Sequence, residues 1–189
     1  MINDLSKRIH SNLGAWIAAG ATAVLAFSLY VRTVHPGVGP FLDSIEYQTT
    51  VAALGVSHPP GYPLYTFLGK LFSLIPWGNG LAHWGDNPAW RLNMMSVVFS
   101  SVTALLTVRL AYRMTRHTVI ALLTGLTLAG AVRFWYQASY TELYPVYTMM
   151  VVDTFLLLLD WMATRRAWLY FASAAVYALS FGVNAPAIV

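Results

Sequence analysis

Cysteine is absent from the 189 residues, which excludes disulfide frameworks, thiolate nucleophiles and Cys-ligated zinc. Charge is nearly as scarce, since Asp, Glu, Lys and Arg together make 10% of the chain while 58% is hydrophobic. With a mean hydropathy of +0.58 and several apolar runs close to bilayer length, that balance excludes soluble folds and predicts an all-α integral membrane protein. The net charge of +4 is spread over the ends of the apolar runs. Lipid headgroups and topology explain such a pattern, and nucleic acid is not implied. Internal repeats and low-complexity tracts are absent as well.

What remains divides into about five predicted spans. Residues 13–34 form the first, preceded by a short cytoplasmic N-terminus, 1–12. The run is longer than a signal-peptide core and no cleavage site closes it, so it reads as a retained anchor. Ala15, Ala19 and Ala23 recur every fourth residue and let a neighbouring helix come close. Further spans are predicted at 90–111, 118–136, 143–162 and 167–189. The segment 62–77 carries Lys70 in its middle, and Leu64, Phe67, Leu68, Leu71, Phe72 and Ile75 fall on one helical face, the pattern of an interfacial helix. With that segment interfacial, Lys7, Arg8, Arg109, Arg113, Arg116, Arg165 and Arg166 lie inside. Arg32, Lys70, Arg91 and Arg133 lie outside, so the basic bias sets the N-terminus in the cytoplasm. Residues 35–89 become a long outer loop with interfacial helices, returning through the aromatic-rich "PWGNGLAHWGDNPAW". A transporter is disfavoured, because the spans lack a matched set of broken helices with midplane charges.

On this topology Asp43, Glu46, Asp86 and Glu142 face outward. A local reading explains the first two: Asp43 as N-cap and Glu46 at N3 make a capping box, with Gly55 ending a helix of about three turns. Pro59, Pro60 and Pro63 turn the chain into the interfacial helix. Asp153 stands near mid-span, where an ionised carboxylate costs roughly 2.5–3.5 kcal/mol and a polar partner or protonation is expected. Asn184 in the fifth predicted span is of the same kind.

Four blocks occur in order: "DSIE", "HPPGYPLY", "WRLN" and "ELY". From about Asp43 to Asn184 the series resembles the N-terminal part of a family of bacterial multispanning membrane proteins related to protein O-mannosyltransferases, glycosyltransferases of the GT-C fold. The resemblance implies transfer of a sugar from a polyprenyl-phosphate carrier to an acceptor hydroxyl at the extracytoplasmic face, in the bacterial inner membrane. It implies Asp43 as the catalytic base and Glu46 as a second catalytic acid that orients the acceptor or raises the base's pKa. His58 is then a proton shuttle, a hydrogen-bond donor to sugar or phosphate, or a metal ligand with Asp43 and Glu46, although spacing does not secure three ligands. Tyr62 would stack on a sugar; Arg91, with Asn93 at the same helix start, would pair with the carrier phosphate or with Glu142, and Glu142 could approach Asp43 across the outer face. No cofactor is required beyond the lipid-linked sugar, and the partners implied are membrane lipids, the polyprenyl-phosphate carrier and, in an assembly, other membrane subunits. Ile45 replaces the glycine common at that place. The sequence stops at Val189 inside an apolar stretch, so it is expected to be the N-terminal part of a longer enzyme, inactive alone. The alternative is a shortened relative serving as a non-catalytic structural subunit.

Overall fold

The computed structural model describes residues 2–39, 41–75 and 87–185, and side chains from Leu13 onward. Within them the chain is helical and connects through turns. The order is α1 (Ile2–Thr33), α2 (Leu42–Ala53), α3 (Pro63–Ser73), α4 (Pro88–Thr115), α5 (Thr118–Gly130), α6 (Val132–Ala138), α7 (Tyr144–Thr164) and α8 (Ala167–Ser180). Three helices are long and apolar enough to cross a membrane: Leu13–Thr33 of α1, then α4 and α7. The protein is an all-α integral membrane protein.

The predicted span at 118–136 is a helix pair, α5 and α6, bent by 65° and able to count as a fourth crossing. Ala131 takes extended dihedrals (φ −65°, ψ 123°), which breaks the hydrogen-bond ladder just where the sequence changes from Leu and Ala to Arg133, Trp135 and Tyr136. The bend brings those interface-preferring side chains out of line with α5. The last predicted span is seen as α8, 14 residues long, about 21 Å at 1.5 Å per residue against a hydrocarbon core of about 30 Å. Residues 186–189 of that span, and the aromatic-rich return at 76–86, lie outside the described residues.

α4 is the central post, packing against α1, α5 and α7. The small-residue stripe on α1 works as expected in kind: Ala15, Ala19, Thr22, Ala26 and Tyr30 are fully or almost fully buried, a 3.6-residue period that passes through Thr22 and Ala26 and leaves Ala23 half-buried. Gly125 of α5 needs its missing side chain, since a Cβ there would overlap Val108 of α4. The turns α4–α5 and α7–α8 share one geometry, with Arg116 and Arg165 both at φ 56°, ψ 21° as left-handed helix caps. Arg113 near the end of α4 pairs with Asp160 near the end of α7, so both turns lie at the same end of the bundle.

Between α1 and α4, α2 and α3 sit across the other end. α3 buries Tyr65, Thr66 and Gly69 and turns Phe67 and Leu71 outward. Gly69 makes the seating possible, because a Cβ would come within 2.8 Å of Val51 on α2. The small, polar side is packed on protein and the apolar side is open, the arrangement of an interfacial helix.

A carboxylate cleft at the α2, α6 and α7 junction

The site is built by a buried polar web. Asn93 of α4 is fully buried. Its amide donates to the carbonyls of His35 (2.8 Å) and Gly37 (2.9 Å), while its oxygen accepts from Gln48 Nε2 (3.0 Å) and Thr141 Oγ1 (2.6 Å). Two donors and two acceptor sites are thereby all used. Gln48 also donates to Thr141 Oγ1 at 2.9 Å, and Ser44 Oγ donates to the Thr141 carbonyl at 2.9 Å across 97 residues of sequence. The Glu142 amide donates to Ser96 Oγ at 3.2 Å. Buried groups of this kind are costly to leave unpaired, so the web fixes α2 against the α6–α7 turn. Because Asp43 precedes Ser44 and Glu142 follows Thr141, the same contacts bring the two acids to one place.

That place is a cleft of about 430 Å³ lined by Phe41, Asp43, Arg133, Tyr136, Glu142 and Tyr144, among others. Asp43 is exposed and makes no hydrogen bond or ion pair among the described residues. Glu142 is only 6% exposed; burial, then the charge of Asp43, push its carboxyl up to about 7, with Arg133 pulling the other way. Arg133 lies 5.7 Å over the Tyr136 ring. A second, more apolar cleft of about 480 Å³ adjoins the first, sharing Arg133, Gln137 and Tyr144 and running along Phe134, Pro145 and Thr148. The Gln137 side-chain oxygen is buried there and accepts no hydrogen bond.

The capping box is not formed. Phe41 occupies the N-cap and contributes no side-chain bond, which leaves Asp43 inside the first turn, and the left-handed residue at the end of α2 is Leu54 (φ 50°) rather than Gly55. Glu46 turns away from Asp43. It accepts from the backbone N–H of His58 and, at 2.9 Å, from Nδ1 of its ring; those two bonds hold its carboxyl below the usual range. His58 Nε2 is 3.0 Å from the Tyr62 hydroxyl. The metal set Asp43–Glu46–His58 therefore does not converge, and no three His, Asp or Glu residues among those described do so.

Three other candidate residues make contacts that differ from those expected. Asn93 is a strut whose polar capacity is spent inside the protein. Arg91 donates to the Ser73 carbonyl at 3.0 Å, at the end of α3, and the cation whose charge Glu142 feels is Arg133. Tyr62 is buried and meets Tyr47 in a T-shaped contact at 5.7 Å, and the burial leaves no open ring face to stack on a sugar. Sequence reasoning counted Arg133 only as a topological charge; its place at the end of an apolar run, followed by Trp135, Tyr136 and Gln137, is the signal that pointed to it.

The model of the protein O-mannosyl-transferase TMEM260 N-terminal domain matches residues 43–189. The chain belongs to that family. The match begins at Asp43 and takes in the acids, the His-Pro-Pro turn and Arg133. A protein O-mannosyl-transferase tmem260 of Dictyostelium discoideum is 29% identical over 123 residues, 65% of this chain and 14% of its own length. Protein O-mannosyl-transferase TMEM260 of Mus musculus is 34% identical over 99 residues, 52% of this chain and 12% of its own. The chain thus spans a small fraction of these relatives. No solved structure matches it.

Proposed function

We propose that this chain forms the base-bearing, N-terminal part of a membrane protein O-mannosyltransferase that uses a polyprenyl-phosphate-linked sugar at the extracytoplasmic face. The observation that carries the reading is the meeting of an unpaired carboxylate, Asp43, with Glu142 and Arg133 in a single cleft that opens onto an apolar one. Asp43 accepts the proton of an acceptor Ser or Thr hydroxyl as its oxygen bonds to the anomeric carbon. The bond from that carbon to the carrier phosphate breaks, and the phosphate leaves with the electron pair, its charge met by Arg133. Glu142, with a carboxyl that titrates at about 7, holds a proton for part of the population near neutrality and can donate it in a hydrogen bond to a substrate oxygen. The apolar cleft beside Arg133 suits the first isoprene units of the carrier, and the unpaired oxygen of Gln137 suits a sugar hydroxyl.

The test is Asp43→Asn in the full polypeptide, assayed for mannosyl transfer to a Ser/Thr peptide. Since Asp43 caps nothing, unfolding should move by no more than about 0.5 kcal/mol, while transfer should fall about 10²- to 10⁴-fold. Transfer at the wild-type rate removes Asp43 as the base.

A further inference from the structure

Glu46, three residues beyond Asp43 on α2, pairs with His58, and their geometry dictates a proton arrangement. An ionised carboxylate only accepts, so the 2.9 Å contact from Glu46 to His58 Nδ1 requires the ring proton on Nδ1. In the neutral imidazole Nε2 is then bare, and the 3.0 Å contact to Tyr62 has the phenol as donor. The order is fixed from one end: Tyr62 O–H to His58, His58 N–H to Glu46. Tyr47 stacks on the imidazole at 6.1 Å and meets Tyr62 edge-on at 5.7 Å, holding both rings in register.

A second, independent feature is the backbone of Tyr62, which sits in the left-handed region at φ 46°. For a bulky side chain that conformation costs roughly 1–2 kcal/mol, and glycine would adopt it freely. A tyrosine kept there marks a position where the side chain is wanted enough to offset the strain. Its ring packs in one buried cluster with Tyr47 of α2 and with Leu143, the residue between Glu142 and Tyr144. Tyr62 therefore links the Glu46–His58 pair to the segment that carries Glu142 and Tyr144.

We infer that Glu46 and His58 are a positioning pair that commits the Tyr62 proton to His58, so that the phenol oxygen presents its lone pairs to a hydroxyl of the bound substrate. The inference rests on the glycosyltransferase reading, but it assigns Glu46 a role different from orienting the acceptor directly or raising the pKa of Asp43. Glu46 acts through His58, and Tyr62 is the group that touches substrate. It also explains why Glu46 receives two bonds from a single residue, one of them from the backbone: the contact fixes the ring and the loop bearing it together.

The test uses Glu46→Gln and Tyr62→Phe, singly and together, in the full polypeptide. A glutamine has one acceptor oxygen for the His58 backbone N–H and turns its NH₂ toward Nδ1, which favours the opposite tautomer and reverses the chain of donors. Nitrogen-15 spectra of the histidines, with His58 assigned by substitution, should show the Nδ1–H form in the wild type and the Nε2–H form in Glu46→Gln. Each single variant should lower kcat/KM for the acceptor peptide about tenfold, mostly through KM, and the double variant should be no worse than either. Additive losses, wild-type kinetics in Tyr62→Phe, or an Nε2–H ring in the wild type would each overturn the pair. Tyr62→Phe keeps the buried ring, so it stands as a folded control for Glu46→Gln. Loss of transfer in Asp43→Asn with normal kinetics in Tyr62→Phe refutes the pair and leaves the base intact; normal transfer in Asp43→Asn refutes the base, and the tautomer spectrum still decides the pair.

Discussion

The two ends of the bundle treat charge in opposite ways. At the end formed by the α4–α5 and α7–α8 turns, Arg113 pairs with Asp160, Arg109 lies 3.7 Å over Trp16 and Arg165 lies 5.6 Å over Trp161. At the other end Asp43 and the carboxyl of Glu142 make no hydrogen bond or ion pair among the described residues, although a web of neutral Asn, Gln, Ser and Thr groups beside them is saturated. Charge at the arginine end holds helices together. At the acid end neutral polar groups tie α2 to the α6–α7 turn, and the two acids of the cleft stay outside those ties. Perturbed, under-paired acids in a cleft are where functional sites are expected.

The sharpest way to break this contrast is to remove one acid from each end. Asp43→Asn should cost transfer about 10²- to 10⁴-fold with little change in unfolding. Next comes the web. Asn93→Ala deletes four hydrogen bonds in a fully buried place and takes the Asn93 donors away from the His35 and Gly37 carbonyls, a loss on the order of 3 kcal/mol in stability. Transfer should fall with it, because α2 loses its tie to the α6–α7 turn; thermal unfolding and activity on the same preparation check both. Full stability in that variant would mean that the neutral groups are not what holds the acid end.

Glu142 supplies a pH signature that the arginine end lacks. Its carboxyl goes from an ordinary value near 4.5 in the unfolded chain to about 7 when folded, so the folded state binds the extra proton between those limits. Stability is then fully present below about 4.5 and is lost as pH rises through 7, by about 3 kcal/mol at most, from 1.36 kcal/mol per unit. Glu142→Gln, which stays neutral, should match the wild type at pH 4 and exceed it at pH 8 in thermal unfolding. A wild-type profile that rises with pH over this window would reverse the sign and place a charged, well-paired carboxylate at 142.

How much of this was legible in the sequence depends on the range of the interaction. Hydropathy reported α1, α4 and α7 because twenty apolar residues in a row have one explanation in a bilayer. It was blind to the break at Ala131, because the change from Ala131 and Val132 to Arg133 and Trp135 reads equally well as the end of a straight span. Asp43 and Glu142 were visible as outward-facing acids, and their approach across the outer face was open to inference. The agents of that approach were not: Ser44, Gln48, Ser96 and Thr141 have no local period and act across 45 to 97 residues. Residues three apart share a helical face, which sets Glu46 beside Asp43 in the sequence reading, yet the side chain answers to His58, held beside it by the turn that follows α2.

The smallest effect belongs to the paired end, and it completes the contrast. The Arg113 and Asp160 side chains are 21% and 25% exposed, near the last turns of α4 and α7, where an arginine freed of its partner can extend toward headgroups. Ion pairs with that access to solvent contribute up to about 1 kcal/mol. Asp160→Asn should therefore lower the unfolding temperature slightly and leave mannosyl transfer within twofold of wild type, a margin of about 0.4 kcal/mol in barrier. The same carboxylate-to-amide change would then be nearly silent at one end of the molecule and disabling at the other. If Asp160→Asn instead cut transfer as deeply as Asp43→Asn, the division between holding charge and reactive charge would fail, because an acid on the far side of the bundle from the cleft cannot take a proton from an acceptor bound there.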